Sequence, residues 1–240
     1  MNVAVLGKGL SLNNFMEIPL VDEYVIVNDI EASIEQNINL KHSLMLKPTT
    51  HVPNRNIQSV RGMISNGMYR DLNIKQIVQP YTEEMKCSHG GSCHCRYYSD
   101  GYFIPTDDIK IPAKLLDEIH KNFMYKRGEL EGHSGSNKYP YHYPSAGIAA
   151  IAYATIELKP KNIYLLGYDF HEGGYASGEH MPESYKNESV GAREMISKLI
   201  KLYPDIHFHL YTLSDFPYEH KNLIYRKLIR QNKPMVKEKK

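Results

Sequence analysis

The side chains with the clearest capacity for chemistry fall into three groups. The first is Gly7-Lys8-Gly9, directly after the apolar run Asn2–Leu6, with Ser11 two residues on. Glycines at that spacing let the backbone turn tightly and offer N–H groups to a phosphate or a sugar. A dinucleotide fingerprint would put a third glycine at position 12, which is Leu12, whereas Asp29 stands where a ribose-binding carboxylate belongs. The spacing therefore fits a nucleotide nest rather than a full NAD site; the same turn could also serve only to pack a helix on a strand. The second group is Cys87, His89, Cys93, His94 and Cys95, five soft or borderline donors within nine residues. Four of them could hold a structural zinc, although the spacing matches none of the usual finger patterns and suits a surface loop equally well. No paired base marks any of these thiols as a nucleophile. The third group is Asp169, His171, Tyr175, His180 and Tyr185, in and just before a glycine-rich stretch. Histidines there could move a proton, and tyrosines could donate hydrogen bonds to a departing phosphate.

These groups need elements to position them. Asn2–Leu6 and Tyr24–Val27 read as buried strands, joined through the glycine turn by a short helix capped by Ser11 or Asn13. Ser43–Leu46 reads as a third strand with Lys47–Thr50 at its carboxyl end; Ile57–Val60 and Lys75–Val78 read as two more. A helix is expected over Pro112–Met124, with Leu115, Leu116, Ile119 and Phe123 near one face. The small apolar residues from Ser145 to Thr155 predict a buried helix, and Asn162–Gly167 a strand. Ala192–Leu202 is amphipathic and helical, Ile206–Tyr211 alternates as a final strand, and a helix is expected around Tyr218–Arg230. Strands alternating with helices, with glycine at the strand ends, predict an α/β fold: a Rossmann-like, doubly wound, mostly parallel sheet. Ligands of such sheets sit beyond the carboxyl ends of the strands, which gathers Gly7–Gly9, Asn28-Asp29, Lys47–Thr50, Ser145 and Asp169–Tyr175 on one rim. We expect a single domain over residues 1–232, a Cys/His-rich insertion at 82–108, a lid loop at 171–190 and a disordered basic tail at 233–240.

Composition narrows the function classes. The 240 residues carry 29 Lys and Arg against 27 Asp and Glu, a balance that argues against a dedicated nucleic-acid binder. The longest uncharged run, Tyr139–Ile156, contains two prolines and a histidine and is no membrane span. No signal peptide is apparent at Met1, and three clustered cysteines make no secreted disulfide framework, so a cytoplasmic protein is expected. The basic tail could add a peripheral membrane contact.

Several of these motifs have a familiar combination. Gly7-Lys8-Gly9-Leu10-Ser11-Leu12, Asn28 at the end of the second strand, Ser145-Ala146-Gly147 opening a helix of small residues, Ile163-Tyr164-Leu165-Leu166-Gly167-Tyr168-Asp169-Phe170 and then Tyr175 resemble the small Rossmann-like bacterial sialyltransferases of the Campylobacter type, glycosyltransferase family 42. The resemblance covers about half of the chain and is most specific over Ile163–Tyr175. It implies an inverting, metal-independent enzyme that moves a sialic-acid-like sugar from a CMP-activated donor to a glycan hydroxyl, with no cofactor required for catalysis. It implies that Gly7, Lys8, Gly9, Ser11 and Asn28 hold the nucleotide, and that Ser145 and Gly147 offer a helix N-terminus to phosphate or carboxylate. It further implies that Asp169 anchors the site, that Tyr175 with His171 stabilises the departing phosphate, and that His180 is the general base.

The chain also departs from that pattern. Lys8 replaces the asparagine of the glycine turn, and no second asparagine stands near Lys47-Pro48-Thr49. Tyr141-His142-Tyr143-Pro144 occupies the place of an arginine before the Ser-Gly helix, and His171 that of the first tyrosine of a phosphate-binding pair. The Cys/His segment has no counterpart. Two other readings are compatible with the same residues: a pterin pyrophosphokinase-like enzyme using ATP, which would need clustered carboxylates such as Asp29 and Asp169 for Mg²⁺, and a nucleotide-binding protein without catalysis.

Overall fold

The computed structural model describes residues 1–28, 30–53, 71–78, 109–110, 113–123, 125–126, 141–142, 145–178 and 189–230. Its strands are β1 (Asn2–Leu6), β2 (Glu23–Val27), β3 (Thr49–Val52), β4 (Ile74–Val78), β5 (Ile109–Lys110), β6 (Tyr125–Lys126), β7 (Tyr141–His142), β8 (Asn162–Leu166), β9 (His207–Thr212) and β10 (Leu223–Lys227). Eight of them form one sheet in the order β10-β9-β8-β1-β2-β3-β4-β5, and every neighbouring pair is parallel. Among the described residues this sheet is wholly parallel. Strands β6 and β7 pair antiparallel, apart from it. The helices are α1 (Glu31–Glu35), α2 (Ile38–Leu46), α3 (Ala113–Glu118), α4 (Ala146–Tyr153) and α5 (Ser189–Leu202), with a 3₁₀ segment at Leu10–Glu17 after β1.

Side chains of successive strand residues point to opposite faces, and both faces are covered. On one face Val3, Val5, Val25, Ile163, Leu165, Phe208 and Leu210 pack with α4 and with Ile196, Leu199 and Ile200 of α5. On the other, Ala4, Leu6, Tyr24, Ile26 and Leu166 pack with Leu12 and Phe15 of the 3₁₀ segment and with Leu40 and Leu44 of α2. Continuous apolar strands such as Val3-Ala4-Val5-Leu6 follow from that double burial. Helix α4 is buried at every residue but Gly147, as its small side chains predict: they let its backbone lie close to the sheet.

Three elements differ from the sequence pattern. Ser43–Leu46 ends α2 instead of forming a strand: the Asn37 side chain accepts the Leu40 N–H at 3.1 Å as an N-cap, and Leu40 and Leu44, one turn apart, face the core. The third strand is Thr49–Val52, so Lys47–Thr50 leads into it and leaves the carboxyl rim. The expected helix around Tyr218–Arg230 contains the edge strand β10, paired with β9 from Leu223↔Phe208 to Lys227↔Thr212, so β9 is not the last strand. At smaller scale, α5 begins at Ser189 and takes the last two residues of the expected 171–190 loop. Neither Ser11 nor Asn13 caps the segment after β1, where Gly9 holds the N-cap position without a side-chain bond. The expected strand Ile57–Val60, the insertion 82–108, Asp29 and the tail 233–240 lie outside the described residues. Among the described residues no helix is long and apolar enough to cross a membrane.

From β1 the chain steps outward through β2, β3, β4 and β5; from β8 it steps the other way through β9 and β10. The order reverses between β1 and β8, and the crevice beyond their carboxyl ends is where a sheet of this kind takes its ligand.

Candidate active site

The floor of this crevice is two glycine turns held against each other. Gly7 donates its N–H to Leu166 O at 2.8 Å and Gly9 to Gly167 O at 2.9 Å, so the β1–β8 ladder continues past both strand ends. In return Gly167 donates to Ser11 Oγ at 2.8 Å. Ser11, expected as a cap, is instead a buried cross-link between the two turns.

Asp169 lies beneath this arrangement, nearly inaccessible to solvent. Its Oδ2 accepts the Ser11 N–H at 2.6 Å; its Oδ1 accepts the Thr212 hydroxyl at 2.9 Å and the Leu213 N–H at 3.0 Å. Ser214 Oγ donates to the Asp169 carbonyl at 2.9 Å. One carboxylate thus joins the ends of β1, β8 and β9. Both of its oxygens are engaged by protein donors, as a buried carboxylate requires. Thr212 and Ser214, which sequence reasoning missed, are both buried against Asp169, Thr212 at the carboxylate and Ser214 at the backbone carbonyl.

The segment after β8 turns sharply. Phe170 and His171 take positive φ, 49° and 61°, unusual for residues other than glycine, and Glu172 donates to Asp169 O at 2.8 Å across the turn. Arg193 of α5 holds it: the guanidinium sits 4.4 Å over the Phe170 ring, bonds Glu172 Oε1 at 2.6 Å and donates to Asp215 O at 2.8 Å. Phe170 stacks on Phe216, with ring centroids 5.7 Å apart. Burial pushes the His171 imidazole below its ordinary pKa and favours its neutral form. Neutral His171 can share a proton but brings no positive charge to a phosphate.

Further along, the chain returns to the first turn. Gly9 and Tyr175 pair as a single antiparallel bridge, and Ala176 donates to Lys8 O at 2.8 Å. Lys8 Nζ lies 4.7 Å from the centre of the Tyr175 ring. The structure so brings Gly7, Lys8, Gly9 and Ser11 together with Asp169 and Tyr175, more than 150 positions away in sequence.

Asn28 closes β2 with φ 51°; its N–H donates to Val52 O at 3.2 Å. His51, fully buried on β3, donates from Nε2 to Asn28 O at 2.9 Å and fixes this turn. Nothing in its polar surroundings, Thr49-Thr50-His51, marked it in the sequence. Ser145 caps α4, its hydroxyl accepting the Ile148 N–H at 3.4 Å. Gly147 is a packing position: Tyr168 donates its hydroxyl to Gly147 O at 3.1 Å, and burial pushes that phenol's pKa up. His180, Tyr185 and the Cys87, His89, Cys93, His94 and Cys95 segment lie outside the described residues. Among the described residues no group of three or more His, Cys, Asp or Glu side chains is placed to hold a metal ion.

No family model matches the chain. No curated protein matches it by sequence. Solved structures do match by shape. The sialyltransferase CstII from Campylobacter jejuni, in complex with the substrate analogue cytidine-5'-monophosphate, aligns with a TM-score of 0.52 at 18% identity, over 89% of this chain and 79% of that one. A crystal structure of the sialyltransferase CST-II with a trisaccharide acceptor and CMP aligns with a TM-score of 0.50 at 18% identity, over 88% and 80%. A variant of CST-II with CMP aligns with a TM-score of 0.53 at 17% identity, over 89% and 81%. At these identities the likeness is one of fold: this chain has the Rossmann-like, parallel-sheet fold of the CstII sialyltransferases, in agreement with the resemblance carried by its strand-end motifs.

Proposed function

We propose that this chain is a glycosyltransferase that moves a sialic-acid-like sugar from a CMP-activated donor to a glycan hydroxyl, with inversion and without a catalytic metal. The observation that carries the reading is the joining of the Lys8-Gly9 turn to Tyr175 at the sheet's switch point, on a fold shared with CMP-bound sialyltransferases. The nucleotide would lie across Gly7–Ser11 and Asn28, with the capped N-terminus of α4 facing its phosphate or the sugar carboxylate. As the bond from the anomeric carbon to the phosphate oxygen breaks, its electron pair leaves with CMP. The Tyr175 hydroxyl stabilises that oxygen by hydrogen bonding, assisted by an N–H of neutral His171. The acceptor oxygen attacks from the opposite face, which inverts the anomeric centre, and His180 takes its proton. One monophosphate leaving group can be stabilised by such donors without a divalent ion. Asp169 acts on the crevice from below, through Ser11, rather than on substrate. That same engagement disfavours a pyrophosphokinase, which would want Asp169 on Mg²⁺.

The test is transfer itself. CMP-N-acetylneuraminic acid is incubated with the protein, an oligosaccharide mixture and EDTA, and both released CMP and the mass gained by the glycans are measured. We expect both signals. Transfer abolished by EDTA and restored by Mg²⁺ would contradict the metal-free mechanism; CMP binding with no release of sugar would favour the non-catalytic alternative.

A further inference from the structure

Lys8 stands where the resemblance expects a neutral asparagine, and its surroundings make that exchange informative. Its backbone is fixed on both sides, by the Ala176 N–H on its own carbonyl and by the bridge from Gly9 to Tyr175. Its ammonium rests over the Tyr175 ring at 4.7 Å, a contact that orients a cation without neutralising it. No carboxylate among the described residues forms an ion pair with it. The nearby acid of the crevice, Asp169, is committed to Ser11, Thr212 and Leu213. The crevice therefore carries a positioned ammonium that no ion pair among the described residues holds.

We propose that the Lys8 ammonium, held against Tyr175, pairs with the phosphate of the bound nucleotide and takes up the charge that develops on it as the sugar leaves. The inference rests on the CMP-donor reading above and deepens it. In the step, the anomeric carbon–oxygen bond breaks and its electrons pass to the phosphate oxygen, while the acceptor oxygen forms the new bond and gives its proton to the base. Lys8 keeps its protons throughout; it contributes charge, and Tyr175 a hydrogen bond. The site would thereby select strongly for phosphorylated cytidine over cytidine, and the attraction would weaken with salt, since Lys8 is only half-buried.

The test is a calorimetric titration of CMP and of cytidine into the wild type, Lys8→Met and Lys8→Arg. Loss of a charged hydrogen-bonding partner should lower the preference for CMP over cytidine by roughly 10- to 100-fold in Lys8→Met, with cytidine affinity unchanged. Lys8→Arg should retain most of it, because the charge remains. Tyr175→Leu should lower the preference further than Tyr175→Phe does, because only the latter keeps the ring under the ammonium. A Lys8→Met protein with the wild-type preference overturns the assignment of Lys8 while leaving the CMP reading intact. One that loses CMP and cytidine alike overturns it as well, by showing that Lys8 shapes the turn. A wild type that binds no CMP overturns the parent reading and this one with it.

Discussion

Gly7 and Gly167 face each other so closely that neither position has room for a side chain: a Cβ on Gly7 would lie 2.4 Å from Gly167 O, and one on Gly167 would lie 2.3 Å from Gly7 O. Gly167 also has φ 79°, which L side chains rarely adopt. Because the obstructing atoms are backbone, neither turn can yield alone. Gly167→Ala should destabilise the protein by about 3–5 kcal/mol, and Gly7→Ala by about 3 kcal/mol. Gly147→Ala should cost less, about 1–2 kcal/mol, because its new Cβ meets the Tyr168 ring at 3.1 Å, and a ring can shift by tenths of an ångström. Denaturant titration of the three variants gives the order; a Gly167→Ala protein of wild-type stability would contradict it.

Asp169→Asn should destabilise by about 1–3 kcal/mol. Whichever way the amide is turned, its NH₂ faces a donor: Ser11 N–H on one side, or Leu213 N–H and the Thr212 hydroxyl on the other. Thr212→Val removes one of the three donors to the carboxylate and also the acceptor of the Ser214 N–H, so a comparable loss is expected. Equal melting temperatures for wild type and Asp169→Asn would show that the carboxylate does not join the strand ends.

Stability should fall in mild acid. Burial holds His171, His209 and His220 below the ordinary histidine pKa, reinforced at His209 by His207 and at His220 by Lys201. Unfolded histidines protonate near 6.5. Below that pH the unfolded chain binds more protons than the folded one, so stability is complete above about pH 6.5 and is lost as pH falls toward the folded-state values. Calorimetry at pH 7.5 and pH 5.5 should give the lower melting temperature at pH 5.5. A higher one would contradict the assignment of these rings as neutral in the fold.

Most strands were readable, β4 and β9 with their polar residues included, whereas Thr49–Val52 and Leu223–Lys227 were not. Asn2–Leu6, Tyr24–Val27 and Asn162–Leu166 announce themselves because burial on both faces demands unbroken apolar runs. Thr49-Thr50-His51-Val52 is buried just as deeply, but through hydrogen bonds: Thr50 Oγ1 to Glu23 Oε1 at 3.1 Å, Gln76 to Thr50 at 3.3 Å, and His51 to Asn28. Such partners are distant in sequence, so the apolar tail of α2 was the more visible strand signal. Strand β10 was hidden for the opposite reason. As a largely exposed edge it has no apolar alternation to display. At the crevice, Gly7–Gly9, Ser11, Asp169 and Tyr175 were legible as motifs, whereas the engagement of Asp169 by Thr212 and Leu213 depends on the neighbour relation of β8 and β9.

In the proposed chemistry, His180→Ala should lower transfer by roughly 10²-fold or more with little change in CMP affinity, as for the loss of a general base. Rates and CMP titrations on the same preparation separate the two effects. Full activity in His180→Ala would show that another loop residue or the acceptor itself supplies the base. Elemental analysis of protein purified without chelator tests the Cys87, His89, Cys93 and Cys95 site separately: about one zinc per chain would support it, and none would leave that segment a loop.

The most direct test of the central claim is the thermal shift produced by equal concentrations of CMP, ATP and NAD, because a ligand raises the melting temperature only as far as it prefers the native state. A crevice built for a cytidine monophosphate donor predicts the largest shift with CMP. A larger shift with NAD or ATP would contradict the account.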